Sequence, residues 1–278
     1  MKNFPFLQRK DLRMKIGASI FFQGESDLQR FPLIHHRNLQ LSFLRREYLE
    51  LFIAKNYIKN LQQEKIKVIS VHGPNLQIHK DMELVKDTLE KCKSLVSPEI
   101  AKVPITLHPQ KTPIPTFKQL YELATWAIGK NINISWEMFP STRGRWAQNL
   151  FELNDLAMEF GYSITYDTSH VEDEYWMHPL TWKYVKNNVS ILHFSVKPQF
   201  PICLGLKEPI NNVRANMSYI REHCYINYDK PAYDNWGFLK TVKNSGWNGI
   251  IILEYMPHYD DKLDDDVQQI TDFFNDKE

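Results

Sequence analysis

Cysteine is scarce in this chain. Its three cysteines, Cys92, Cys203 and Cys224, are odd in number and widely spaced, which excludes a CxxC motif and the disulfide framework of a small secreted domain. Long apolar runs are missing as well: no stretch approaches the ~18 uninterrupted apolar residues of a membrane span. The N-terminal MKNFPFLQRKDLRMK mixes charges into its apolar residues, where a signal peptide would be continuous. Net charge is also lacking. Lys+Arg is 34 against Asp+Glu 33, a formal charge of +1, so no global field draws the chain onto a polyanion, while a local basic groove remains compatible with that sum. No low-complexity tract or linker composition divides the sequence. These absences predict a cytoplasmic protein in a reducing compartment, with no membrane partner.

What is present is a large core and a recurring pattern. Hydrophobic residues make up 43% and aromatics 13% of 278 residues, enough for one (β/α)₈ barrel of roughly 250 residues. Strand-like runs recur at 15–22, 47–53, 66–72, 103–108, 132–138, 162–167, 189–194 and 249–255, rich in Ile, Val, Leu and Tyr. Helical spacing fills 81–96, 115–130 and 144–161, where Leu150, Leu153, Leu156, Ala157 and Phe160 recur three and four apart and Gly161 follows as a C-terminal cap. Segments 24–45 and 173–187 read as helix plus loop. The stretch 197–235, with Pro198, Pro201, Pro209 and Pro231, is the least regular and reads as a functional loop. Alternating strand and helix predicts a parallel sheet, here a single α/β (β/α)₈ TIM barrel over 14–278 with residues 1–13 as an N-terminal extension.

Six of the apolar runs end in a metal-capable residue: VISVHGP, ITLHPQ, ISWEMFP, SITYDTSH, SILHFSV and IIILEYMP. They supply His72, His108, Glu137, Asp167 with His170, His193 and Glu254. In parallel-sheet proteins functional groups gather at the carboxyl ends of strands, so the repeat is what a site assembled strand by strand looks like. Carboxylates and imidazoles converging from a rigid rim suit a divalent cation. His223, in REHCY, lies in the long loop and could fold over the same site. His35, His36, His79, His178 and His258 have no such frame and read as surface or loop residues. Trp176 and Trp236 flank site strands and are candidate substrate-stacking residues, the other tryptophans reading as core. Arg143, Arg145 and Arg221 could grip a phosphate, the plainer reading being a solvated helix start.

These residues resemble the xylose isomerase-like TIM barrels, which include sugar isomerases, sugar phosphate epimerases and endonuclease IV-type apurinic endonucleases. The resemblance runs from MKIGAS to ILEYMP and is carried by VHGP, TLHP, the Glu of SWEMFP, DTSH, the His of ILHFS and the Glu of IILEY. It implies that Glu137, Asp167, His193 and Glu254 form a shared divalent-metal site, and that His72, His108, His170 and His223 complete the three-zinc cluster of the endonuclease class. Departures exist on both sides. The endonuclease Asp-Arg-His triplet is matched by Arg221, Glu222 and His223, and an Arg cannot replace a carboxylate ligand, so a third ion would need Glu222 or Asp229. Phe194 and Ser195 stand where that class has Asn-Asp, and Glu137 is followed by Met138 where sugar-acting members often carry Asn.

Two enzymatic readings follow from the resemblance. The first is a metal-dependent isomerase or epimerase of a small sugar, sugar phosphate or polyol, in which Glu137 and Glu254 exchange a proton alpha to a carbonyl and one ion (Mn2+, Zn2+, Co2+ or Mg2+) stabilises the enediolate. Arg143, Arg221, Trp176 and Trp236 would contact that substrate. The alternative is a zinc-dependent apurinic endonuclease with two or three ions and nucleic acid as partner. A barrel that only binds a ligand is the third reading. The sequence leaves the oligomeric state open.

Overall fold

The computed structural model describes residues 14–33, 35–111, 113–139, 145–147, 149–200, 202–203, 219–220 and 222–276. Eight parallel strands close into a barrel: β1 (Lys15–Phe21), β2 (Asn38–Ser42), β3 (Lys67–His72), β4 (Val103–Leu107), β5 (Ile132–Glu137), β6 (Ser163–Asp167), β7 (Val189–Phe194) and β10 (Ile250–Leu253). The remaining two, β8 (Ile202–Cys203) and β9 (Tyr219–Ile220), pair antiparallel within the long stretch before β10. Helices α1 (Arg46–Ala54), α2 (Ile58–Gln63), α3 (Met82–Leu95), α4 (Phe117–Gly129), α5 (Leu150–Phe160), α6 (Pro179–Val185), α7 (Asn235–Asn244) and α8 (Leu263–Asn275) connect the strands. The single (β/α)₈ barrel read from the sequence is therefore the fold. The proposed extension, residues 1–13, lies outside the described residues. No helix among the described residues is long and apolar enough to cross a membrane.

One strand assignment is corrected. Residues 47–53 belong to α1, and the second strand is β2, inside the stretch read as helix plus loop. The run EYLELFI is apolar enough for either period, but Leu49 and Phe52, three apart, are its buried pair, which is a helix face. Phe52 lies 5.0 Å from Phe22, 6.4 Å from Phe31 and 5.7 Å from both Phe43 and Tyr57, so this face anchors an aromatic cluster beneath the first two strands. In β2 the short alternation NLQLS sends Leu39 and Leu41 to the core, while Gln40 and Ser42 are also wholly buried.

Period-two alternation explains how the other strands carry a site. Ile105, Leu107, Ile134, Trp136, Ile164 and Tyr166 share one apolar cluster with Leu120 and Leu123 of α4 and Leu153 of α5. The residues between them carry hydroxyls that meet each other: Thr106 with Thr165 at 2.9 Å, Thr165 with Ser135 at 2.8 Å, and Ser135 with Ser190 at 2.9 Å. Two residues further along the same strands stand His108, Glu137 and Asp167. A polar layer thus underlies the ligand candidates, and Ile69, Ile191 and Ile252 form a separate small apolar cluster. Caps fix the helices that hold these strands in register. Thr116 and Gln119 make a reciprocal capping box on α4, and Asn149 caps α5, which ends at the predicted Gly161 with φ 74°.

Candidate metal centre

Glu137, at the end of β5, is the hub of the barrel mouth. Its Oε2 lies 2.8 Å from His72 Nε2 and 3.1 Å from His108 Nε2, and its Oε1 lies 3.2 Å from His170 Nδ1 and 3.9 Å from His193 Nδ1. The Nδ1 of His193 is also 2.8 Å from Glu254 Oε2 and 4.0 Å from Asp167 Oδ2. On the far side, Glu222 reaches within 3.8 Å of His170 Nε2 and 3.9 Å of His223 Nε2. All eight metal-ligand candidates from the sequence are therefore gathered at one end of the barrel. Seven of them, all but Glu254, supply donor atoms to three overlapping groups: His72, His108 and Glu137; Glu137, Asp167 and His193; Asp167, His170 and His223.

The imidazoles are aimed by their other nitrogens. His72 Nδ1 meets the Gly73 carbonyl at 3.2 Å and His108 Nδ1 meets Asn75 Oδ1 at 2.9 Å, contacts that orient each ring with its Nε2 toward the centre. His223 is held more firmly still. Its backbone N–H donates to Ser169 Oγ at 2.9 Å, its carbonyl accepts from Met256 N–H at 3.0 Å, and its Nδ1 meets Ser195 Oγ at 3.2 Å. It adopts φ 62°, a left-handed conformation costly for a residue with a Cβ. Sequence reasoning missed Ser169, Ser195, Asn75 and Phe139. Phe139 packs 4.7 Å from the His108 ring and 4.3 Å from the His170 ring. The available signal was the same-face spacing, since Ser195 and Phe139 each stand two residues past a ligand candidate.

Burial sets the electrostatics. Glu137, Asp167 and Glu254 are at most 1% exposed. Burial raises the Glu137 pKa, but the surrounding histidines, His108 foremost, overrule it and hold the carboxyl well below its usual range. Asp167 goes the other way: burial, with Glu137 and Glu254 close by, pushes it well up. Burial lowers His108 to about 4 despite the neighbouring Glu137. His170 rises to about 10, because Asp167 and Glu137 outweigh its burial.

This donor set fits a divalent cation on an observation independent of family. Asp167 Oδ2 is buried without a hydrogen-bond partner, as is His193 Nε2, in a mouth that concentrates three carboxylates with the His170 imidazole 3.4 Å from that oxygen. Three carboxylates in a dry site are costly unless enough positive charge meets them.

Two of the four substrate candidates can be placed in the structure. Arg143 and Arg221 lie outside the described residues. Trp176 is buried at 6% exposure in the main core. Trp236 packs 5.6 Å from Phe273 and lines a cavity of about 340 Å³ beside Tyr228, Tyr233 and Asp234.

No protein-family model and no curated protein matches the sequence. Solved structures do. A D-tagatose 3-epimerase-like protein superposes with TM-score 0.56 at 15% identity, covering 94% of this chain and 98% of that one. D-psicose 3-epimerase from Clostridium cellulolyticum H10, solved with D-tagatose, gives 0.56 at 12% over 94% and 98%. AP endonuclease, family 2, from Brucella melitensis gives 0.55 at 12% over 88% and 93%. Identities this low carry the fold alone, a single (β/α)₈ barrel shared with these proteins over nearly their whole length.

Proposed function

We propose that this barrel is a divalent-metal-dependent hydrolase of phosphate esters, of the endonuclease IV kind in its chemistry. The observation that carries the reading is the position of Glu137, whose two oxygens face separate pairs of imidazoles, His72 with His108 and His170 with His193. A one-ion isomerase would use Glu137, Asp167, His193 and Glu254 and leave His72, His108, His170 and His223 without a task. A carboxylate shared by two histidine pairs would suit a site that holds more than one ion.

In this reading His72, His108, Glu137, Asp167, His170, His193, Glu254 and His223 hold the ions. Bound there, the ions supply Lewis acidity toward the ester oxygens and the attacking water. The chain's own groups fix spacing and orientation: Glu137 links the subsites, Gly73 and Asn75 orient two imidazoles, and Ser169 and Ser195 pin His223. Phe139 excludes water from the His108 and His170 side. The AP endonuclease from Brucella melitensis shares this fold.

A second reading keeps the isomerase or epimerase of a small sugar. It is favoured by Glu222, an acid beside His170 and His223 that would repel a long polyanion. The D-psicose 3-epimerase from Clostridium cellulolyticum H10 supports it by likeness of fold.

The two are separated by assaying the purified protein on bis(p-nitrophenyl) phosphate and on an oligonucleotide with one abasic site, beside a ketohexose panel followed for epimerisation. Metal-dependent ester cleavage that Glu137→Gln abolishes supports the first reading. Epimerisation without ester cleavage overturns it.

A further inference from the structure

The outer wall of the barrel carries an apolar face across α4, α5 and α6. On α4, Phe117 and Tyr121 stand one turn apart and are 62% and 49% exposed. On α5, Phe151 and Met158 stand two turns apart on the outer side, 37% and 50% exposed. Tyr175, just before α6, and Leu180 and Tyr184 within it are each more than half exposed. The pieces are joined. The Phe117 ring packs 4.6 Å from Phe160 of α5, and the Phe151 ring lies 6.3 Å from Tyr175 and 5.9 Å from Tyr184. The inward sides of the same helices, with Leu120, Leu153 and Trp182, already fill the core, so the outer set exceeds what one chain buries.

Area and charge say what covers it. Side chains of roughly 200 Å² each, about half exposed, give this face about 700 Å². An ordinary monomer's largest apolar patch is about 300–600 Å², and one partner of a standard interface contributes about 800 Å². Within the face stand two exposed ions with no ion-pair partner among the described residues. Asp155 lies between Phe151 and Met158 on α5, and Lys183 lies between Leu180 and Tyr184 on α6. In a two-fold interface each contact occurs twice, with the roles of the copies exchanged. An acid on one helix and an ammonium on the next therefore complement themselves. A helix that lies on lipid carries its cations on the polar side of an uninterrupted apolar face, and Asp155 in the middle of this one is unsuited to that.

We infer that α4, α5 and α6 form the interface of a homodimer, in which Asp155 pairs with the partner's Lys183 and the aromatic side chains supply the buried area. The apolar anchors give the affinity, and the two symmetric ion pairs set the register of one copy on the other. The inference is independent of the reaction the metal centre performs.

The test is sedimentation velocity of the purified full chain at micromolar concentrations, beside Leu180→Glu, Asp155→Lys and the charge swap Asp155→Lys with Lys183→Asp. Wild type is expected to sediment as a dimer. Leu180→Glu, at an exposed position that leaves the fold intact, should weaken the dimer about thirtyfold or more. Asp155→Lys sets two ammonium groups against each other and should weaken it about tenfold or more, and the swap should restore most of that loss. The swap keeps the test decisive if Leu180→Glu melts early. A wild-type monomer overturns the inference, whether it stays in solution or floats with phosphatidylserine vesicles. So does a dimer unmoved by Leu180→Glu in a protein whose thermal melt matches wild type. A charge swap as weak as Asp155→Lys alone overturns the pairing.

Discussion

Glu137 and His72 stand 2.8 Å apart in the barrel mouth, 65 residues distant in sequence. Neither belongs to a local motif with the other; β4 lies between their strands. They meet because both are inward positions at the carboxyl end of their strands, and barrel closure turns a shared height into a shared centre. The same relation brings in Asp167, His193 and Glu254. The site is thus a property of register, and substitutions at it act on chemistry more than on the outer core.

Glu222 is expected to hold the outermost subsite. It is the acid that approaches both His170 and His223, at 3.8 and 3.9 Å, whereas Asp229 lines the separate cavity. Glu222→Gln should lower the metal content by one ion per chain, or weaken its retention on dialysis about tenfold or more, with the barrel's melting temperature in chelator unchanged. Equal metal content in variant and wild type would assign no ligand role to Glu222.

Phe52→Ala should cost about 3–5 kcal/mol of stability. The ring is fully buried and packs against Phe22, Phe31, Phe43 and Tyr57. Urea unfolding followed by tryptophan fluorescence measures it, and a loss below about 1 kcal/mol would contradict a helix face at α1.

Arg30 ties the loop after β1 to the loop after β10. Its Nε and Nη2 reach Asp260 at 2.5 and 2.9 Å, and its Nη1 donates to the Phe21 carbonyl at 3.2 Å. Arg30→Met leaves Asp260 half-buried and unmatched and should destabilise by about 3 kcal/mol. A double cycle with Asp260→Asn checks the coupling: additive losses would show that the pair contributes nothing.

Cys92 and Cys224 should be inert in the native protein. Both are buried, and burial raises each thiol to about 12. The thiolate attacks, so at pH 8 only about one molecule in ten thousand is reactive. A chromogenic disulfide reagent should modify neither within an hour and both in 6 M guanidinium (about the concentration that unfolds most domains).

Much of this site was legible because His72, His108, Glu137, Asp167, His193 and Glu254 each close an apolar run, a pattern one strand can carry alone. The hydroxyls of Thr106, Ser135 and Thr165 show the same inward period in the sequence. β2 was not legible, since NLQLS is short and half polar, and its Gln40 and Ser42 are buried only because the barrel closes over them. EYLELFI misled because five apolar side chains in seven satisfy both periods until tertiary contact selects Leu49 and Phe52. Ser195 and Phe139 continue the spacing of their strands, whereas the role of Ser169 depends on the His223 loop folding back over the mouth, which spacing along one strand cannot encode.

Elemental analysis of the purified protein tests the account most directly, with divalent metal counted per chain in wild type and in Glu137→Gln. The account predicts two or three ions in wild type and the loss of at least one in the variant, because Glu137 faces both histidine pairs. A single ion in wild type, or the same content in both proteins, would contradict it.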